Sequence, residues 1–175
     1  MKELLRLDQH ELGIHTDSDS DVTYTRIAAR AVLINDKGRV ALMYISTIAV
    51  YKLPGGGVDE DEDILEGLHR EVREETGYEI THEREVVVVD EYRYFCGMHQ
   101  ISHAYLADVT NFVGTTLTEN EARRGMKLVW ADDIEEAVKL IESGARTDEE
   151  DSAEGLRMMK LRDIAILRAA QEMSK

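Results

Sequence analysis

One short stretch narrows the folds open to this chain more than any other. Leu53-Pro54-Gly55-Gly56-Gly57-Val58 sets a proline-fixed entry before three glycines, which suits a tight turn whose backbone must approach a ligand closely. A helix is then expected over residues 63–76, with Gly77 as the residue that ends it. Within that helix Glu71, Glu74 and Glu75 stand at i, i+3 and i+4, so their side chains converge within an arc of about 100°. Like charges so placed repel by roughly a few tenths of a kcal/mol per pair. A divalent cation turns that repulsion into attraction, because Mg²⁺ takes oxygen ligands and keeps waters and substrate phosphates in its remaining positions. A Glu-rich helix face alone is usually a solvated surface. The glycine turn upstream makes this one read as a metal platform for phosphate chemistry.

Composition limits what surrounds the platform. A chain of 175 residues, 43% of them hydrophobic, can bury one substantial core and is short for two. No apolar run reaches transmembrane length, and Met1-Lys2-Glu3-Leu4-Leu5 opens no extended apolar segment, so neither a membrane span nor a secretory signal is expected. The single cysteine, Cys96, excludes an internal disulfide and points to the cytoplasm. The net charge of −15, with no basic tail, argues against polymeric nucleic acid as a partner. It should repel a small polyphosphate too, unless bound metal inverts the local field.

Gly56, Glu62, Arg70, Glu71, Val72, Glu74, Glu75 and Gly77 match, at every spacing, the Nudix box of the MutT-like hydrolases, and the chain over residues 56–78 therefore resembles that superfamily. Tyr78 stands where members mostly carry Ile, Leu or Val. Asp61 replaces a common Gly, and Gly67 falls inside the helix where Ala is common, at a cost of roughly 1 kcal/mol.

The resemblance implies an α/β fold, an α/β/α sandwich with a mixed sheet flanked by helices. It implies a Mg²⁺-dependent hydrolase, with Mn²⁺ able to substitute, that cleaves a phosphoanhydride bond by metal-activated water. Carried over by position, Glu71, Glu74 and Glu75 would hold the metal with the Gly55 carbonyl. Arg70 would orient Glu74, Glu62 would support the ligands from behind, and Gly56 and Gly77 would shape the loop and the helix end. The base would be Glu71 or a carboxylate from a later loop, for which Glu119 and Glu121 are candidates. Against them stands a plain helix start, with Thr118 as its N-cap.

The substrate implied is a nucleoside di- or triphosphate, or a nucleoside diphosphate linked to another moiety. ADP-ribose, nucleotide-sugar and dinucleoside polyphosphate hydrolases are the alternatives, and a non-catalytic nucleotide-binding module is the reading from another class. A proline associated with ADP-ribose enzymes is absent, since the only proline is Pro54. Tyr92 and Tyr94 lie where dinucleoside polyphosphate hydrolases carry a tyrosine, although strand aromatics are more often cross-strand pairs.

Along the chain, residues 1–22 read as an N-terminal extension with a polar loop, 23–144 as the hydrolase domain, and 145–175 as an acidic linker and an amphipathic helix. Residues 24–35 and 39–46 read as a hairpin about Asp36-Lys37-Gly38, and 85–95 and 99–109 as a second antiparallel pair. Residues 127–130 read as a short strand, followed by a helix from Asp132. Leu65, Leu68 and Val72 should face the sheet from the glutamate helix. In the final helix, over 152–173, Leu156, Met159, Ile166, Leu167, Ala170 and Met173 share an arc that should dock on the body or on a second subunit, so a homodimer is one outcome. His99 and His103, four apart on a strand, lie too far apart to pair on a metal.

Overall fold

The computed structural model describes residues 4–148 and 151–173. Its sheet takes the strands β1 (Leu4–Asp8), β6 (Tyr78–Arg93), β7 (Met98–Phe112), β2 (Tyr24–Ile34), β3 (Val40–Ile45) and β4 (Val50–Lys52) in that order. Strand β5 (Gly55–Gly57) pairs with β2, and β8 (Met126–Ala131) with β3. The β1–β6 and β2–β7 pairs are parallel and the others antiparallel, so the sheet is mixed.

Helix α1 (Ile64–Thr76) covers one face, packing Leu68 and Val72 against Ala29, Ala31, Leu33 and Tyr105. Helices α3 (Ile134–Glu142) and α4 (Ala153–Met173) cover the other, where Ala137, Ile141, Met158, Ile166 and Leu167 bury against Val32, Val87, Val89 and Leu106. The expected α/β/α sandwich is the fold. A short helix, α2 (Glu119–Arg123), lies beside β8.

The second edge of β2 is shared. Near its end Ile34 pairs with Val40 of β3, while further back Ala28, Ala29 and Arg30 pair with Gly57, Gly56 and Gly55 of β5. That fork seats the glycine strand against the middle of the sheet. Gly55 permits it: its φ is +126°, and a Cβ there would lie 2.1 Å from the Ala29 carbonyl oxygen. Only glycine allows so close an approach.

Helix α1 has clear local causes. Asp63 accepts from the Glu66 amide at 2.9 Å, and Glu66 accepts from the Asp63 amide at 2.9 Å, a complete capping box. Gly77, at φ +76°, closes the helix with its amide on the Arg73 carbonyl. The stripe facing the sheet is Ile64, partly buried, with Leu68 and Val72 fully buried; Leu65, expected inside, is 43% exposed because Ile64 one position earlier takes that arc.

Three other expectations change. Residues 4–8, read as part of a loop-like extension, form an edge strand against residues 88–92 of β6. Five residues at an edge, with Leu4 exposed, are too few to show alternation. The glycine segment is a strand and not only a turn. In α4, Met158 is buried, Met159 only partly, and Met173 is 42% exposed. The arc that suggested a second subunit is thus covered by the chain's own α3 and sheet. Of the acidic run 148–151, Asp148 and Asp151 bond Arg124, and residues 149 and 150 lie outside the described residues. Among the described residues, no helix is long and apolar enough to cross a membrane.

Candidate active site

Two features meet where β5 runs beneath α1. Glu75 is 3% exposed, with one carboxylate oxygen accepting from the Gly55 amide at 2.8 Å and the other from the Lys52 ammonium at 2.7 Å. Burial pushes its pKa up, and Lys52 pulls against that. Glu71, one turn earlier, lies across Gly56 so closely that a Cβ there would fall 2.3 Å from Glu71 Oε2. Both carboxylates line one cleft of about 750 Å³.

Glu74 is not gathered with them. It is 38% exposed and lines a separate hollow with His69, Arg73 and Thr81. Among the described residues, one set of three His, Cys or carboxylate groups brings its ligand atoms within 4.8 Å of one another: His10, His15 and Asp19, none of which lines the cleft. The three glutamates form no ready-made cage.

Cation fit is nonetheless visible. The Lys52 ammonium sits between Glu75 Oε1 at 2.7 Å and the Gly55 carbonyl at 3.4 Å, which are two of the donors expected to hold a metal. A positive charge already occupies that position. The donors are hard oxygens, as Mg²⁺ and Mn²⁺ require.

Arg70 was expected to orient Glu74, and that role shifts. Its guanidinium grips Glu62 through Nε and through Nη2 at 2.8 Å, reaches the Gly57 carbonyl at 3.0 Å and donates to Glu71 at 2.8 Å. Glu74 receives only a 3.4 Å contact. The fork thus ties the loop, Glu62 and Glu71 together. The hydrogen bond from Arg70 holds the Glu62 carboxyl well below its usual range.

Of the later carboxylates, Glu121 lines the cleft and Glu119 does not. Glu121 also accepts from the Thr118 amide at 2.8 Å, while Thr118 Oγ1 caps the Glu121 amide at 3.2 Å, so the pair serves as a helix start as well. Neither Tyr92 nor Tyr94 lines the cleft. Tyr92 stacks on His99 at 4.5 Å beneath the Arg6 guanidinium, and Tyr94 stacks on His10 and donates to Asp8. His99 pairs with Asp90 and His103 with Glu85.

The cleft holds basic residues that were not anticipated. Arg26 and Arg30 come from β2, Lys52 from β4, Arg93 from β6, Arg124 from the end of α2 and Arg162 from α4. Arg30, in the middle of Ile27-Ala28-Ala29-Arg30-Ala31-Val32, was the available signal, since a charge inside an apolar strand needs a reason. Its guanidinium is depressed by burial, and further by Arg162, to about 9, so it stays charged at neutral pH.

The family model for the NUDIX domain matches residues 24–139. The CMP-5'-(N-acetyl-N-hydroxy-3-aminopropyl)phosphonate hydrolase of Streptomyces rubellomurinus (strain ATCC 31215) is 36% identical over 136 residues, 74% of this chain. The chain spans 61% of that relative's length. Among solved structures, a MutT NUDIX hydrolase from Burkholderia pseudomallei is similar at TM-score 0.51 and 26% identity, covering 63% of this chain and 87% of that one. A NUDIX hydrolase from Nitrosomonas europaea is similar in fold at TM-score 0.62 and 19% identity, covering 86% of this chain and 90% of that one.

Proposed function

The chain belongs to the Nudix family, hydrolases of phosphoanhydride bonds, and from that premise we propose that its cleft binds Mg²⁺, with Mn²⁺ as a substitute, and hydrolyses a nucleotide anhydride. The observation that carries this reading is the Lys52 ammonium held jointly by Glu75 and the Gly55 carbonyl beside Glu71. Glu71, Glu75 and the Gly55 carbonyl would hold the cation, with Glu74 able to join them only by turning from its own hollow. When bound, the metal supplies charge neutralisation at phosphoryl oxygens and a more acidic water.

The chain's own residues do the rest. Glu71 is the proposed base, since Arg70 fixes one of its oxygens at 2.8 Å and the bare Gly56 leaves room for its carboxylate. Glu121 is the alternative base, weakened by its use as a helix cap. The basic residues around the cleft attract and position the polyanion. The working unit is residues 23–144 together with α4, because Gly155, Met159 and Arg162 help to line the cleft. One exposed cysteine suits a reducing compartment, and the cytoplasm is the proposed location.

Nucleoside triphosphates, nucleoside diphosphates linked to another moiety, ADP-ribose, nucleotide sugars and dinucleoside polyphosphates form the test panel. The Streptomyces relative is named for a CMP–phosphonate, so CMP conjugates join it. Product analysis should show EDTA-sensitive cleavage between phosphorus atoms, restored by Mg²⁺ or Mn²⁺. Binding without turnover across the panel would favour a nucleotide-binding module instead, and metal-independent turnover would overturn the metal assignment.

A further inference from the structure

At the floor of the cleft, the buried charges do not balance. Glu91, fully buried, takes Arg93 Nη2 at 2.6 Å and Gln100 at 2.7 Å, with Arg162 Nη1 at 3.8 Å. Asp163, also fully buried, takes Arg162 Nε at 2.7 Å and the Leu53 amide at 2.9 Å. Lys52 and Glu75 neutralise each other. That leaves three guanidiniums, of Arg30, Arg93 and Arg162, against two carboxylates, and Arg30 is the one left over.

Arg30 is 5% exposed and lines the cleft. Its Nε has no hydrogen-bond partner, and among the described residues the Asp163 and Glu75 carboxylates act on its charge only from a distance, without a direct ion pair. A buried charge without a partner is a large cost that folding alone has no reason to keep. The neighbouring Arg26, which bonds Gln100 at 3.1 Å, is a further cation, and Glu71 is the carboxylate that acts on it.

We propose that Arg30 is the floor of an oxyanion subsite, which takes a phosphate-type group of the substrate. A guanidinium presents several donors in a planar fork suited to phosphoryl oxygens. This rests on the cleft being the substrate site, and it narrows the substrate to a nucleotide that carries a further phosphate or phosphonate oxyanion besides those at the scissile anhydride. Such a group would give Arg30 the direct partner that the described residues do not supply.

Arg30→Met keeps apolar bulk and removes the charge, and two measurements are made on the metal-free full chain without any substrate. In chloride buffer the variant should melt no lower than the wild type, because an unpaired buried charge has been removed. With inorganic phosphate or methylphosphonate added at matched ionic strength, the wild type should gain melting temperature saturably. The variant should bind either anion roughly 10- to 100-fold more weakly. Acetate should give no comparable gain.

Where turnover is found, Arg30→Met should raise KM by a larger factor for a substrate with the extra oxyanion than for one without it, and equal rises for both would overturn the proposal. A marked melting loss in chloride would make Arg30 structural and overturn the proposal. So would equal phosphate gains in both proteins, or acetate matching phosphate. Absence of turnover on the nucleotide panel would count against the hydrolase reading alone, since anion binding is read separately.

Discussion

Gly56→Ala tests the site with one methyl group. Gly56 has an ordinary φ, so alanine strains no backbone there, yet its Cβ would sit 2.3 Å from Glu71 Oε2 and 2.4 Å from its Cδ. Ordinary contact begins at 3.4 Å, so the oxygen must retreat by 3.4 − 2.3, or 1.1 Å. A misplacement of about 1 Å in a reacting group can cost about 10²-fold in rate. The fold should barely notice, because what moves is the end of a flexible side chain. Losing the Arg70–Glu71 contact costs about 1 kcal/mol or less, and replacing glycine at a compatible φ returns about 0.4–1 kcal/mol. The expected melting change is within about 4 °C in either direction. Gly55→Ala is the contrasting variant. Its Cβ would strike the Ala29 backbone oxygen at 2.1 Å from a φ of +126°, so β5 would have to leave β2 and the protein should lose much of its stability. Steady-state hydrolysis and thermal melts on both proteins decide the matter. A Gly56→Ala enzyme within threefold of wild type, or one as destabilised as Gly55→Ala, refutes the argument that this glycine exists to seat Glu71.

Lys52→Met should strip Glu75 of its counterion and cost about 3 kcal/mol, the lower end for breaking a buried pair. Glu75 has a raised pKa from burial, so the folded state holds its proton more tightly than the unfolded one. The penalty therefore stands above that pKa and fades as pH falls toward the usual carboxylate range. The melting deficit should be smaller at pH 5.5 than at pH 8, and millimolar Mg²⁺ should recover part of it; a deficit indifferent to both would remove the stand-in argument. Glutamine replacements should rank unequally, with Glu71→Gln and Glu75→Gln losing about 10²-fold or more and Glu74→Gln clearly less, because Glu74 faces another hollow. Equal losses in kcat for all three would show that Glu74 turns into the cleft during catalysis.

Local rules made much of this legible. The capping residue, the glycine stop and the 3.6-residue period define α1 because each acts within a turn or two. The β6–β7 pair was readable from apolar alternation, though the strands run further than expected: Tyr78 already pairs with Phe112. Glu71 and Glu75 converge as the helix period requires. Glu74 does not, since sequence spacing fixes where a side chain starts on the helix and not which partners then draw it. Arg70 chose Glu62, eight residues away across the loop, over Glu74 one turn along, because a fork-to-carboxylate geometry outweighs one contact on an exposed helix face. The edge strand β1 escaped notice because its pairing partner lies some eighty positions later.

The electrostatics of the cleft belong to the tertiary fold, and no window of sequence contains them. A net charge of −15 suggested that metal alone could reverse the field seen by a polyphosphate. Yet Arg26, Arg30, Lys52, Arg93, Arg124 and Arg162, scattered over most of the chain, converge on one concavity and offset the carboxylates of Glu71, Glu75, Glu121, Asp148 and Asp151 that share it. Low-dielectric walls focus such a field, so the sign of the whole says little about the sign at the site. The final helix is part of that arrangement and not an accessory. Its Asp163 accepts from the Leu53 amide at 2.9 Å, immediately before the proline that opens the glycine strand, and its neighbour Arg162 leans on Glu91 in β6. A movement of α4 would therefore pull on Leu53, and through it on Lys52 and Gly55, the two groups that meet around Glu75. Removing the helix should disable the site even though every residue of the glutamate motif remains in the chain.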